Sequence, residues 1–289
     1  MQKSAHTKPM TRELQTVTSG RPATDGNGVK MTRIIGTPEL NMLDPFLLLD
    51  AFETDQPQDY IGGFPDHPHR GFETVTYLLA GRMRHKDSAG HEGVIDPGGV
   101  QWMTAGRGII HSEMPEQENG ILQGFQLWIN LPAGKKMQAP SYQEFSPDEI
   151  AVENLDNGTE MRVIAGITNN GTSGPVTNQH VNPIYMDITL PKGQRFEQAV
   201  SDSDNVFIYA IKGELFVGDS MREISHRQMG VLRNGDQVVV TANEETRFLL
   251  VAARPLNEPV ARGGPFVMNT KAEVLQAFED YKQNKFLGD

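Results

Sequence analysis

Short strand-like runs, cut by turn residues along the whole chain, limit what this sequence can fold into more than any other feature. "FETVTYLLAG", "GFQLWINLP", "PIYMDITLP", "NVFIYAIKGELFVG" and "DQVVVTA" are β-branched or aromatic and are bounded by Gly, Pro, Asn or Asp. The 29 Gly and 18 Pro are scattered rather than clustered, as many turns between short elements require. Only "TKAEVLQAFEDYKQNKF" (270–286) reads as a helix. There Thr270 is placed to cap the start, and Val274, Leu275, Phe278 and Tyr281 form an apolar face. The expected class is all-β, a barrel or sandwich with a C-terminal helix.

The two halves resemble each other. Tyr77 stands four residues before Gly81, and Tyr209 four before Gly213, an offset of 132. "PGGVQWMTA" (97–105) aligns with "NGDQVVVTA" (234–242) at an offset of 137. Two ordered offsets point to a duplicated barrel. The expected domains are 1–142 and 143–289, the second ending in the helix. The Asn/Gly/Thr-rich "TNNGTSGPVTNQH" reads as a loop near their junction.

Composition excludes several classes. The formal net charge is -11, with no Lys/Arg run, which disfavours direct contact with nucleic acid. There are no cysteines, so neither a disulfide framework nor a thiolate site exists. No stretch reaches the roughly 20 apolar residues of a membrane span, and the start, "MQKSAHTKPMTRELQ", has no apolar leader segment. A soluble, cytoplasmic, monomeric protein is expected.

Two pairs of residues carry the chemistry. His67 and His69 lie two apart in "FPDHPHRGFETV", and His111 and Glu113 two apart in "GRGIIHSEMP". Residues two apart on a strand share a face. Either pair alone is more often incidental, on a solvated surface. On neighbouring strands of one barrel they converge three imidazoles and a carboxylate, a donor set for iron(II), manganese, nickel, copper or zinc. Four protein ligands leave two positions open on an octahedral metal. Glu73 shares the parity of His67 and His69 if the strand is regular. It is expected to orient a histidine from behind, with a ligand or barrel-rim role as alternatives. His85 and His91 read as surface residues of a hairpin tip, and Trp102 and Met103 as either pocket or core. Under the two offsets, the ligand positions fall on Ala199, Ser201, Phe248 and Leu250, so the second copy is expected to hold no metal.

The motifs "GFPDHPHRGFETVTYLLAG", "DPGGVQWMTAGRGIIHSEMP", "GFQLWINLP" and "GPFVMNT" closely resemble the pirin family, over about residues 30 to 280. The resemblance implies two tandem cupin, jelly-roll-like barrels with one metal, iron(II) first among the candidates, in the N-terminal one. It implies His67, His69, His111 and Glu113 as ligands, whereas the general cupin pattern would use Glu73. It further implies a quercetinase-like dioxygenase that cleaves a flavonol with dioxygen, with Glu113 or Glu73 as the base. The alternative it implies is an iron-dependent regulator that binds partner proteins such as transcription factors or metabolic enzymes.

Overall fold

The computed structural model describes residues 9–178 and 180–287. The leader reading of the first eight residues lies outside them, as does residue 179 of the expected loop. The first half of the chain forms β1 (Leu14–Thr18), β2 (Arg21–Asp25), β3 (Val29–Ile35), β4 (Phe46–Thr54), β5 (Phe64–His69), β6 (Phe72–Ala80), β7 (Met83–Asp87), β8 (Glu92–Ile95), β9 (Val100–Thr104), β10 (Ile109–Pro115), β11 (Leu122–Asn130) and β12 (Ser141–Phe145). The second half forms β13 (Ala151–Asn154), β14 (Glu160–Ala165), β15 (Ile184–Leu190), β16 (Arg195–Ala199), β17 (Asn205–Lys212), β18 (Leu215–Val217), β19 (Arg222–Ile224), β20 (Met229–Leu232), β21 (Gln237–Ala242), β22 (Thr246–Ala253), β23 (Ala261–Gly263), β24 (Phe266–Met268) and α1 (Lys271–Lys282).

The strands build two jelly-roll-like units, each from a seven-stranded and a four-stranded antiparallel sheet. In one unit the orders are β12-β9-β6-β11-β4-β3-β2 and β5-β10-β7-β8. In the other they are β1-β20-β17-β22-β15-β14-β13 and β16-β21-β18-β19. Neither pair of sheets closes into one continuous hydrogen-bonded barrel. The all-β, two-cupin architecture with a C-terminal helix is as expected.

The boundaries are not contiguous as drawn from the sequence. The unit bearing β5 comprises Gly20–Ile150 and Leu256–Asp289, with a short piece near 180; β1 belongs to the other unit. A cut at 142/143 falls inside β12, whose residues pair with β9 from Ser141↔Thr104 to Phe145↔Val100. The helix belongs to the first unit, because β24 bridges to Arg70 and Arg70 binds Asp280.

Strand order also corrects the internal alignment. Tyr77 faces Val100 across β6–β9, as Tyr209 faces Met229 across β17–β20. The counterpart of β9 is therefore β20. "NGDQVVVTA" is β21, which pairs with β16 and β18 and answers to β10. The likeness of the two "TA" endings is local and does not reflect topology. His67 faces His111 across β5–β10, and Phe196 faces Val240 across β16–β21. The positions of His67, His69 and His111 thus fall on Phe196, Gln198 and Val240, and that of Glu113 on Ala242, not on Ala199, Ser201, Phe248 and Leu250. Phe196 and Val240 pack with Met186, Leu215, Phe248 and Leu250 in one buried apolar cluster. Gln198 turns its amide to the Ile167 and Ala199 carbonyls. The second unit is filled where the first carries histidines.

The helix has the predicted cap: the Thr270 hydroxyl accepts from the Glu273 N–H at 3.2 Å, and Glu273 reaches back to the Thr270 N–H at 2.7 Å. Its inward residues are Val274 and Ala277. Leu275, Phe278 and Tyr281 are exposed, so the expected apolar face is only partly used.

Candidate metal centre

β5 and β10 are adjacent antiparallel strands, with Ile109 opposite His69 and His111 opposite His67. Residues directly opposite share a face, so the two-residue spacing on β5 and the pairing to β10 bring three imidazoles together. One nitrogen from each of His67, His69 and His111 lies within 4.8 Å of the others. Ring centroids are 4.7 Å apart for His67–His69, 4.4 Å for His67–His111 and 5.0 Å for His69–His111.

The protonation of this cluster suits a cation. Nδ1 of His67 donates to the Pro65 carbonyl at 2.8 Å, which leaves the Nε2 lone pair available. His69 and His111 are buried, and burial, reinforced by the neighbouring histidines, holds both well below the usual imidazole pKa. They are neutral at pH 7. Nδ1 of His69 and both ring nitrogens of His111 are buried without a hydrogen-bond partner. Buried polar atoms left so are costly. A transition-metal ion taking one lone pair from each ring would satisfy His69 Nδ1 and one of the two His111 nitrogens, and three imidazoles are a fitting donor set.

Glu113 lies two residues beyond His111, after a register shift in the β5–β10 pairing. Its buried carboxylate accepts from the Thr76 hydroxyl at 2.8 Å and from the Gln126 amide at 2.9 Å. It lines the same cavity as His67 and His69 but is not among the three clustered donors. Thr76 and Gln126 are cross-strand partners on β6–β11, so the seven-stranded sheet orients a carboxylate of the four-stranded one. Neither residue was singled out in the sequence. A polar side chain alternating with apolar ones, as in "FETVTY" and "GFQLW", is the signal that could have found them.

Glu73 is placed elsewhere. Gly71, at φ +91°, turns the chain from β5 into β6, which belong to different sheets. The strand is therefore not regular, and the parity argument fails. Glu73 alternates with Thr74 and Thr76, so it projects from the reverse face of β6. There it is buried and accepts from Trp102 Nε1 at 3.1 Å and the Thr104 hydroxyl at 2.8 Å.

His85 is also corrected. It is buried, its Nε2 meets Glu144 at 2.7 Å, and its ring stacks with Tyr142 at 6.0 Å. In β7, Met83, His85 and Asp87 alternate inward, while Arg84 and Lys86 disguise the strand as a polar hairpin tip. His91 is exposed, as expected, with Nδ1 on Asp87 at 2.9 Å. Trp102 and Met103 are both buried.

His67 and His69 line a cavity of about 820 Å3, whose apolar wall includes Met31, Phe52, Phe64, Met83 and Trp128. Trp128 stands edge-on to His69 at 5.2 Å and packs on Phe72 at 4.4 Å. Volume and lining suit a small aromatic molecule.

The chain matches the "Pirin" family model over residues 28–129 and the "Pirin C-terminal cupin domain" model over residues 185–287. A pirin-like protein of Caulobacter vibrioides is 52% identical, the match covering 95% of this chain and 99% of that protein. Human pirin is 44% identical, over 92% of this chain and 90% of its own. Among solved structures, a quercetin 2,3-dioxygenase from Acinetobacter baumannii superposes with a TM-score of 0.87 at 34% identity, covering 96% of this chain and 98% of that one.

Proposed function

Since the chain belongs to the pirin family, we propose that it is a metal-dependent cupin dioxygenase that cleaves flavonols of the quercetin type with dioxygen. The observation that carries this reading is the cluster of three imidazoles, two of which, His67 and His69, line a largely apolar cavity. His67, His69 and His111 hold one divalent transition metal, iron(II) first, with manganese, nickel, copper or zinc as alternatives. When bound, the metal supplies Lewis acidity and open coordination positions for substrate and dioxygen. The fold similarity to the Acinetobacter quercetin 2,3-dioxygenase supports the substrate class.

The chain's own residues do the rest. Glu113, held by Thr76 and Gln126, faces the cavity as the acceptor for the flavonol hydroxyl proton. Those two donors fix its carboxylate before substrate arrives, which removes the cost of ordering it during reaction. Met31, Phe52 and Trp128 pack the flat ligand and exclude water. Glu73, on the reverse face of β6, takes no part in proton transfer here; it braces β9 through Trp102 and Thr104.

A second reading rests on α1. Leu275 is 69% exposed and Phe278 44%, on a helix tied to the residue after His69 through Arg70 and Asp280. That arrangement supports a regulator whose helix face meets a partner protein and responds to metal state.

The deciding test is incubation of iron-, manganese-, nickel- and copper-loaded protein with quercetin, following its visible absorbance and carbon monoxide. Turnover under air, with none under nitrogen or after chelation, is expected. Glu113→Gln should abolish turnover while keeping more metal than any His→Ala change. No turnover above the free-metal control, with partner binding that follows metal oxidation state, would replace the enzyme reading with the regulator.

A further inference from the structure

The cavity lining includes charged groups that the proposed chemistry does not use. Arg33 and Arg262 both line it, together with Asp25 and Asp50. The two arginines differ in how their charge is met. Nε and Nη2 of Arg33 donate to the two carboxylate oxygens of buried Asp50 at 2.9 and 2.7 Å, and Nη2 also reaches Asp25 at 3.2 Å. That fork is closed.

Arg262 has no such partner. Its Nη1 donates to the Leu47 carbonyl at 3.1 Å, and its guanidinium lies 4.9 Å from the centroid of the Trp128 ring. Among the described residues no carboxylate forms an ion pair with it. Arg262 is exposed, so water meets the donors that the Leu47 carbonyl leaves open; partial desolvation first, and then repulsion from Arg33, lower its pKa, with Asp50 and Asp25 opposing. A guanidinium with most of its donors unspent, at the side of an apolar cavity, is suited to a carboxylate, sulfonate or phenolate.

Trp128 joins the arginine to the histidines. The same indole meets His69 edge-on at 5.2 Å and carries Arg262 over its ring. A flat ligand that reaches the histidines and packs against Trp128 brings one edge within reach of the arginine.

From this geometry we propose that Arg262 sets substrate choice by selecting flavonol-like aromatics that carry a negative group on the edge packed beside Trp128. The proposal rests on the reading above, in which a flavonol-like molecule occupies this cavity.

The test compares quercetin with quercetin 5′-sulfonate, by equilibrium dialysis under nitrogen, on metal-loaded wild type, Arg262→Gln and Arg262→Lys. The wild type should bind the sulfonate more tightly, and raised salt should erode that preference. Arg262→Gln should weaken the sulfonate about tenfold and quercetin less than about threefold, the loss of one charge-assisted bond. Arg262→Lys should fall between. Equal weakening of both probes, or of neither, overturns the proposal and leaves the cavity reading intact. Failure of the wild type to bind either probe overturns both. If Arg262→Gln does not fold, a sulfonate-to-quercetin preference that is absent, or unmoved by salt, overturns the proposal on the wild type alone.

Discussion

His69 and His111 show how a single residue reports its environment. Their neutrality follows from burial, and it has a consequence for the metal-free protein. In the unfolded chain each takes up a proton as pH falls through about 6.5, while the folded pKa lies well below that. The unfolded state therefore binds more protons between the two values. Their contribution is fully present above about pH 6.5 and is lost as pH falls below it, by up to about 1.4 kcal/mol per pH unit for each histidine. The urea midpoint of apoprotein should drop between about pH 7 and 5.5, and His69→Leu should reduce that slope. At this scale His67, His69 and His111 were legible because strand spacing alone aligns them. Glu73 was not, since its face depends on Gly71, where a left-handed φ breaks the period. Arg262 was invisible for another reason: it is far from β5 in sequence, and no local pattern marks it as a cavity residue.

Among the elements, β5 is the one on which the site depends. It ends where Gly71 passes the chain to another sheet, and the surroundings hold that turn tightly. Nζ of buried Lys136 donates to the Gly71 carbonyl at 2.7 Å, to Asn130 Oδ1 at 2.6 Å and to the Val267 carbonyl at 3.0 Å. Burial lowers its pKa to about 8, yet all three donors of its ammonium are used. A Cβ at Gly71 would meet the Val267 carbonyl oxygen at 2.0 Å, at a φ that L-residues rarely adopt. Gly71→Ala should cost at least about 2 kcal/mol and weaken metal binding by shifting His69, checked by thermal melting and metal titration. The strands themselves were readable from β-branched runs between turn residues, and the helix from its cap and period. What could not be read was which apolar helix residues face inward. Ala277 packs with Phe266 and Phe286, segments whose meeting is a tertiary event and leaves no trace in the helix's own pattern.

For the whole molecule, duplication separates chemistry from scaffold. The second unit keeps the strand order and fills the corresponding interior with Phe196, Val240 and Phe248. Phe248 is fully buried and meets Phe196 edge-on at 5.8 Å. Phe248→Ala should destabilise the protein by about 3–5 kcal/mol, measured by denaturant unfolding, while metal content per folded chain stays the same. The repeat was legible from Tyr77 and Tyr209, which do hold equivalent places, but its second offset was misled by the shared "TA" endings of the β9 and β21 segments. The exchange of chain ends between the units was beyond sequence reasoning, because β1 and α1 carry no sign of which sheet they join. The most direct measurement is metal content per chain, by elemental analysis, for protein purified without chelator. Wild type and Phe248→Ala should each hold about one equivalent of transition metal, and His69→Ala or His111→Ala almost none, with the far-ultraviolet circular dichroism of the fold retained. Two tightly held equivalents in the wild type, or full occupancy in a folded His111→Ala variant, would contradict the assignment of the centre to these three histidines.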